Sequence, residues 1–232
     1  MKYENIVRGK FKERPNRFIA SVCVEGNEER AHVKNTGRCR ELLEKDADIY
    51  LEDHIGEMGK RKLRYSLIAV EKKTERGTFL VNMDSQAPNT VAWEWLRLGK
   101  LFSAEAVVRR EVRFGDSRLD FYIEDGEKKC YMEVKGVTLE DEGTAAFPDA
   151  PTERGVRHLE ELIRAAQRGY EAYLLFVVQM QGVKRVVPNE NTHPTFAKTL
   201  RKAALAGVKI LAIDCRVTAD SLESGRYVPV EY

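Results

Sequence analysis

Short segments of alternating apolar and polar residues, separated by turn residues, fill the first 83 positions of the chain. The segments are rich in β-branched and aromatic residues and are bounded by glycine, asparagine or aspartate, which is the pattern of short strands. Several such strands in one small unit favour a closed barrel, for which the OB type is one option. The predicted strands lie at 17–24, 30–33, 48–51, 65–70 and 78–81.

A polar segment with a proline, 82–89, ends this pattern, and we place a domain boundary after residue 83. The elements predicted beyond it suggest a mixed sheet with helices on its faces. The chain is thus expected to hold an OB-like barrel over 1–83 and an α/β domain over 84–232. The predicted elements of the second domain are a helix at 91–101, strands at 106–114, 118–124 and 129–134, a helix capped by Thr152 and ending near Gly169, a strand at 172–178, a helix at 194–205 and a strand at 208–213.

Composition is that of a soluble globular protein, because 43% of the residues are hydrophobic and 33% are charged. The longest apolar run, 173–178, is far too short to span a bilayer, so no membrane partner is expected. We find no signal peptide, and four scattered cysteines without a CxxC pair favour reduced thiols. We therefore expect a cytoplasmic protein.

The formal net charge is only +2, but the charges are unevenly distributed. Residues 1–83 hold 18 Lys and Arg against 14 Asp and Glu, whereas the remainder holds 21 against 23. Clustered cations can neutralise phosphates and release counterions, so this excess predicts DNA binding, although a solvated basic surface would carry the same charge. The clusters are Arg8, Lys10, Lys12, Arg14 and Arg17, and Lys60, Arg61, Lys62 and Arg64. The predicted DNA contacts are Arg14, Arg17, Arg38, Lys60, Arg61 and Lys62.

Two carboxylates and a lysine stand on consecutive predicted strands. Side chains alternate across a strand, so Glu133 and Lys135 share one face. A tight hairpin would bring Asp120 across from Glu133, unless the register slips by one residue. Two hard carboxylates suit Mg²⁺ or Mn²⁺, and the lysine can position the attacking water or offset charge on a phosphate. We therefore predict a phosphodiester-hydrolysing site of the PD-(D/E)xK type, with Asp120 and Glu133 as metal ligands.

The D…ExK pattern is weak alone, because an isolated Glu-x-Lys is usually a surface ion pair. Its place on consecutive strands after a helix, as this nuclease core requires, favours the site. Irregular segments as long as 136–151 are unusual in a compact domain unless they serve a site. The histidines show no metal-ligand spacing, and His158 is expected on an exposed helix face. Further residues that could line the site are Glu94, Asp149, Thr152, Arg154 and Gln179, although Glu94 is more readily interpreted as a solvated helix charge, and Gln179 equally as the point where a strand meets water.

Four longer motifs occur along the chain: VKNTGRCREL at 33–42, SRLDF at 117–121, YMEVKGVTL at 131–139 and FPDAPTERG at 147–155. Together and in this order they resemble the sugar fermentation stimulation protein A (SfsA) family, over essentially the whole chain. The resemblance implies an N-terminal OB-like barrel and a C-terminal PD-(D/E)xK nuclease-like domain. It also implies DNA binding with little sequence preference and a historical link to regulation of sugar utilisation genes. The acidic and lysine positions of the nuclease motif carry over as Asp120, Glu133 and Lys135.

Three functions stay open at this point. The first is a divalent-metal-dependent deoxyribonuclease whose barrel grips the DNA backbone. The second is a non-catalytic, largely sequence-independent DNA-binding regulator of sugar utilisation genes. The third is a binder of single strands through barrel aromatics such as Phe18, Tyr50 and Tyr65, which would otherwise pack in the core. A homodimer is compatible with the first function, because enzymes of this class that cut both strands often pair two active sites.

Overall fold

The computed structural model describes residues 1–35, 37–75 and 77–232, which form fifteen strands and three helices. Six strands come before the first helix: β1 (Ile6–Asn16), β2 (Ile19–Val24), β3 (Asn27–Val33), β4 (Asp48–Asp53), β5 (Tyr65–Thr74) and β6 (Gly77–Asn82). The remaining elements are α1 (Ala87–Leu96), β7 (Val107–Phe114), β8 (Ser117–Asp125), β9 (Lys128–Val137), β10 (Leu139–Asp141), β11 (Thr144–Phe147), α2 (Glu153–Gln167), β12 (Glu171–Val178), β13 (Arg185–Pro188), α3 (Pro194–Leu205), β14 (Lys209–Val217) and β15 (Leu222–Tyr227).

The first five strands pair in a closed circuit. β1 lies between β2 and β4, and β5 closes the circuit by pairing with both β4 and β3. The closing contact between β3 and β5 is short and parallel, with residues 31–33 opposite 65–67. Register shifts interrupt the β1–β2 and β4–β5 ladders, and β6 adds to β5 outside the circuit. The predicted OB-like arrangement is confirmed, as an irregular barrel.

β1 is the barrel strand that the apolar pattern did not predict. Gly9 and Phe11 occupy its buried positions, and the residues on either side of them are charged and exposed. A Cβ at Gly9 would lie 2.9 Å from the carbonyl oxygen of Cys23 on β2. Glycine allows this close approach of two strands. It also removes one of the apolar side chains by which the strand would have been recognised.

A six-stranded mixed sheet forms the second half, in the order β15-β14-β12-β9-β8-β7. β9, β12 and β14 are parallel, and the other neighbours pair antiparallel. α1 packs through Val91 and Trp95 into one apolar cluster, while α2 and α3 pack through Leu159 and Phe196 into another. Alternate residues of β12 belong to these two clusters, so the helices cover both faces, as predicted. None of the helices in the described ranges is long and apolar enough to cross a membrane.

The expectation of an irregular segment at 136–151 is wrong. β10 and β11 form a hairpin there, and β11 also pairs with β13 in a separate three-stranded sheet. Strands of three and four residues hold too few positions for an alternating pattern to be recognised. β13 and β15 were not predicted either, and α1 begins at Ala87 rather than at 91, with Pro88 in its first turn.

Buried polar contacts join the two halves of the chain. The side-chain Nε2 of Gln179, directly after β12, donates to the backbone oxygen and the Oδ1 of Asn82, at 3.1 and 2.9 Å, and to the backbone oxygen of Asp84 at 2.9 Å. Lys72 on β5 donates to the buried carboxylate of Glu140 on β10 at 2.6 Å. These contacts dock the barrel against the α/β half through groups that are largely withdrawn from water.

The N-cap of α2 gives a first prediction. The Oγ1 of Thr152 accepts a hydrogen bond from the backbone N–H of Gly155 at 3.0 Å, which satisfies one of the free donors at the helix start. Thr152→Ala should lower the free energy of unfolding by about 1 kcal/mol in urea titrations, whereas Thr152→Ser should retain it. Equal stability of the alanine and serine variants would contradict this role.

A second prediction concerns the contact between the halves. Gln179→Met keeps the size of the side chain but removes the donor that three buried acceptors share. We expect the free energy of unfolding to fall by about 3 kcal/mol, because unsatisfied buried acceptors are costly. Gln167→Met, on the exposed end of α2, is the matched control and should change it by less than about 0.5 kcal/mol. Similar losses in both variants would contradict the prediction.

Candidate functional site

The regular pairing of β8 with β9 places the two predicted carboxylates side by side. The ladder ends where Phe121 lies opposite Met132, and the next residues in this register are Asp120 and Glu133. The register expected from the short hairpin is therefore the one observed. Beyond this point the two strands no longer form ladder hydrogen bonds, and side chains take their place.

Asp120 is held by both neighbouring elements. Its Oδ2 accepts a hydrogen bond from the backbone N–H of Val134 on β9 at 2.7 Å. Its Oδ1 accepts one from the Nδ2 of Asn89 on α1 at 2.8 Å. The carboxylate thus replaces a ladder bond and also fixes the first helix against the sheet.

Glu133 is buried, with 2% of its surface exposed, and two side chains converge on its Oε1. The Nζ of Lys135 donates to this oxygen at 2.5 Å, in agreement with the prediction that both residues share a face. The Nδ1 of His158 on α2 contacts the same oxygen. Arg154, one turn earlier on α2, donates to the Nε2 of His158 at 3.3 Å. A chain of polar contacts therefore leads from α2 to the carboxylate.

The two carboxylates have opposite pKa shifts. Burial, reinforced by the charge of Glu133, raises the pKa of Asp120 to about 6. Burial also acts to raise the pKa of Glu133, but the ammonium of Lys135 and the contact with His158 outweigh it and hold this pKa below its ordinary value. Glu133 is therefore the carboxylate whose charged form the site stabilises.

The oxygen donors of the site fit a divalent ion that keeps most of its waters. Among the described residues, no group of three or more His, Cys, Asp and Glu side chains is arranged to hold a metal ion. The Oε2 of Glu133, however, is buried and has no hydrogen-bond partner in the described part of the chain. Mg²⁺ is commonly held by only one or two carboxylates and keeps several waters. Asp120 and Glu133 fit that mode of binding. They do not fit a site in which protein side chains supply all the ligands.

The structure brings one of the five further residues predicted to line the site, Arg154, to it through His158. Gln179 contacts the end of the barrel and lies beside Gly136, just after Lys135. The other three lie in different surroundings: Thr152 caps α2, Glu94 pairs with the N-terminal ammonium of Met1 at 2.8 Å, and the carboxylate of Asp149 lies 3.9 Å from the Sγ of Cys39.

Two residues of the site were missed by sequence reasoning. The expectation that His158 is exposed is wrong, because only 5% of its surface is exposed and it lies on the buried stripe of α2. His158 lies three residues after Gly155, and this spacing indicates the buried face of α2. A buried histidine also needs a polar partner, and the sequence alone did not show that Glu133 supplies it. Asn89 precedes the helix predicted at 91–101, whereas in the structure it lies inside α1 and contacts Asp120.

The cations of the barrel divide into paired and unpaired groups. Arg8 and Lys10 pair with Asp48, Lys12 pairs with Asp46, and Arg64 pairs with Asp53. The other cations predicted to contact DNA form no ion pair with a described residue. Five of them are exposed: Arg17, Arg38, Lys60, Arg61 and Lys62. Four of these five line two shallow hollows of about 300 Å³, Arg17 and Arg38 in one and Arg61 and Lys62 in the other.

Arg14 has a different environment from these five cations. Its guanidinium donates four hydrogen bonds of 2.6–2.9 Å to backbone carbonyl oxygens. The acceptors belong to Arg17, Asn35, Gly37 and Arg38. Thr36, which belongs to the same motif, lies outside the described residues. Arg14 thus holds together the turn that presents Arg38.

The three barrel aromatics proposed for stacking on single strands differ in exposure. Phe18 is 49% exposed, and the guanidinium of Arg17 lies 5.4 Å from its ring centre. Tyr65 is buried, and the half-buried Tyr50 donates its hydroxyl to Glu71 at 2.8 Å. Only Phe18 of the three is therefore presented to solvent as a stacking surface.

Comparisons with known proteins cover both halves of the chain. The family described as the SfsA N-terminal OB domain matches residues 13–82, and the sugar fermentation stimulation protein RE domain matches residues 86–221. A sugar fermentation stimulation protein homolog of Desulfitobacterium hafniense is 52% identical over 100% of this chain and 98% of its own length. A homolog of Clostridium beijerinckii is 50% identical over 99% of both chains.

The fold has a solved relative as well. The structure of Pyrococcus furiosus SfsA in complex with Ca²⁺ is similar with a TM-score of 0.84 and 27% sequence identity, over 100% of this chain and 98% of that one. Sequence and fold therefore agree along the whole length. The chain belongs to the sugar fermentation stimulation protein (SfsA) family.

Proposed function

We propose that this protein binds DNA and hydrolyses its phosphodiester bonds with Mg²⁺ or Mn²⁺ held by Asp120 and Glu133. The observation that carries the proposal is the buried Oε2 of Glu133, which has no hydrogen-bond partner in the described ranges and lies on a strand next to a second carboxylate and beside a lysine. The related Pyrococcus furiosus protein was solved in complex with Ca²⁺, an ion that also takes oxygen ligands. That relative supports a cation site in this family.

Each residue around the two carboxylates has a role in this proposal. A bound divalent ion would supply an activated water and stabilise charge on the phosphate. Asn89 and the N–H of Val134 orient Asp120. Lys135, with 14% of its side chain exposed, lies at the mouth of the site, where its ammonium can offset charge that builds on a phosphate.

The barrel supplies the sequence-independent part of DNA binding in this proposal. Five of its exposed cations, Arg17, Arg38, Lys60, Arg61 and Lys62, form no ion pair with a described residue and can contact phosphates. Arg14 contributes by holding the turn that carries Arg38. Contacts of this kind position a protein on DNA without reading its sequence.

One observation favours the second candidate function, a DNA-binding protein without catalysis. Lys135 and His158 already compensate the charge of Glu133, so this carboxylate can stay buried without an ion. A cleavage assay separates the two functions, because both predict DNA binding and only the first predicts hydrolysis.

The third prediction addresses hydrolysis. With plasmid or single-stranded DNA and Mg²⁺ or Mn²⁺, Glu133→Gln and Asp120→Asn should each lower the cleavage rate by at least about 100-fold, because each removes a ligand charge. Glu160→Gln, which removes one charge from the exposed side of α2, should keep the rate. Lys135→Met should lower the rate and leave DNA affinity almost unchanged.

A metal-binding readout accompanies the rate. Ca²⁺ should raise the Tm of the unmodified protein and of Glu160→Gln but not that of Glu133→Gln, because a ligand that binds only the folded state stabilises it. Absence of cleavage above the Asp120→Asn/Glu133→Gln background with every metal would rule out the nuclease function. A Ca²⁺ effect without cleavage would leave the non-catalytic candidate.

The fourth prediction concerns the cations of the barrel. Replacing Lys60, Arg61 and Lys62 with glutamine should weaken duplex binding and reduce the slope of log affinity against log salt concentration by about 2–3, since each lost phosphate contact removes about 0.9. The matched control replaces Arg8, Lys10 and Lys12, which carry equal charge but pair with carboxylates. Equal slopes in the two triple variants would show that Lys60, Arg61 and Lys62 contact DNA no more than the paired cations of β1 do.

A further inference from the structure

A partly exposed tryptophan lies between two arginines in the C-terminal half. Trp93 on α1 is half-buried, and the guanidinium of Arg97 lies 4.6 Å from its ring centre. The guanidinium of Arg110 on β7 lies 5.9 Å from the same ring. We call these three residues the Trp93 platform. Such cation–aromatic contacts stabilise the rotamers of the arginines and leave their charge available to an anion.

Three carboxylates near the Trp93 platform are engaged elsewhere. Glu111 and Glu124 pair with Arg118 and Arg109, and Glu94 pairs with the N-terminal ammonium. Neither Arg97 nor Arg110 has an ion pair among the described residues. Two arginines without ion pairs among the described residues thus lie against a half-buried aromatic ring.

The position of the Trp93 platform relates it to the proposed catalytic site. Asn89, which hydrogen-bonds Asp120, lies one helical turn before Trp93 on the same face of α1, about 6 Å away along the axis. On β7, Arg110 is paired with Phe121, the residue that follows Asp120. Helix and strand thus both connect the Trp93 platform to Asp120, one of the two metal ligands in the proposed function.

We propose that the Trp93 platform binds an unpaired DNA segment: a base takes the place of one guanidinium on a face of Trp93, and Arg97 and Arg110 bind neighbouring phosphates. An aromatic ring flanked by cations suits single strands, because each base offers a flat face and each linkage a negative charge. This inference rests on the proposed function and extends it, since it makes a single strand, or an opened duplex, the form of DNA that reaches Asp120. It also gives the C-terminal half a DNA contact independent of the barrel.

The test uses the tryptophan itself as the probe. Of the two tryptophans, Trp95 is 1% exposed, so quenching of emission by an added DNA strand reports on Trp93. In EDTA, an oligo-dT strand should quench the emission of the full-length protein, and a blunt duplex of equal length should quench it much less. Trp93→Leu should weaken binding of a fluorescein-labelled oligo-dT by at least about fivefold, measured by anisotropy.

Two double variants separate a specific contact from a loss of charge. Arg97→Gln/Arg110→Gln should reduce the salt slope for oligo-dT by about 1.4, the value for two single-strand phosphate contacts. Lys198→Gln/Lys202→Gln removes the same charge from the exposed side of α3, on the opposite face of the sheet, and should leave the slope unchanged. The arginine variant and the quenching experiment stand even if Trp93→Leu does not fold.

The outcomes distinguish this inference from the function on which it rests. Normal oligo-dT binding without quenching, with equal slopes in the two double variants, would overturn the role of the Trp93 platform and leave DNA binding by the barrel intact. Equal quenching by duplex and single strand would overturn the preference for unpaired bases. Absence of DNA binding at low salt would overturn both proposals.

Discussion

A carboxylate removed from water must be compensated, and the burial of Glu133 under α2 is the constraint on which the site depends. Lys135 and His158 meet at one of its oxygens, so the end of β9 and the first turns of α2 must adjoin. The N-cap at Thr152 starts α2 at the position that brings His158 there. The second oxygen of Glu133 has no hydrogen-bond partner among the described residues, and in the proposed function this oxygen binds the metal ion.

The clusters of Lys and Arg in the sequence identify cations available to DNA only when their intramolecular ion pairs are known. In the sequence, the cluster from Arg8 to Arg17 and the cluster from Lys60 to Arg64 have the same appearance. In the structure, Arg8, Lys10 and Lys12 of the first cluster form ion pairs with Asp48 and Asp46. These three cations occupy alternate positions of β1, so they share one face of the strand. Arg38 and Arg61 in the barrel, and Arg97 and Arg110 beside Trp93, form no ion pair with a described residue.

Elements with strong periodicity were predictable. The bounds of α3 were predicted as observed, and β8, β9 and β12 were predicted to within a few residues. β1 was missed because Gly9 occupies a buried position, and β10 and β11 because they are too short to show a period. At the site, the D…ExK pattern identified three residues, but Asn89 and His158 come from helices far away in sequence and carry no local signal of their partners.

By itself the sequence determined the two-part organisation, the family and the sharing of a face by Glu133 and Lys135, because these follow from composition, motifs and the two-residue period of a strand. Only the tertiary structure decided which charges are paired, which oxygen of Glu133 is free and which aromatic rings are exposed. Those properties depend on distances between side chains that are remote along the chain. Local patterns do not encode such distances, and packing sets them.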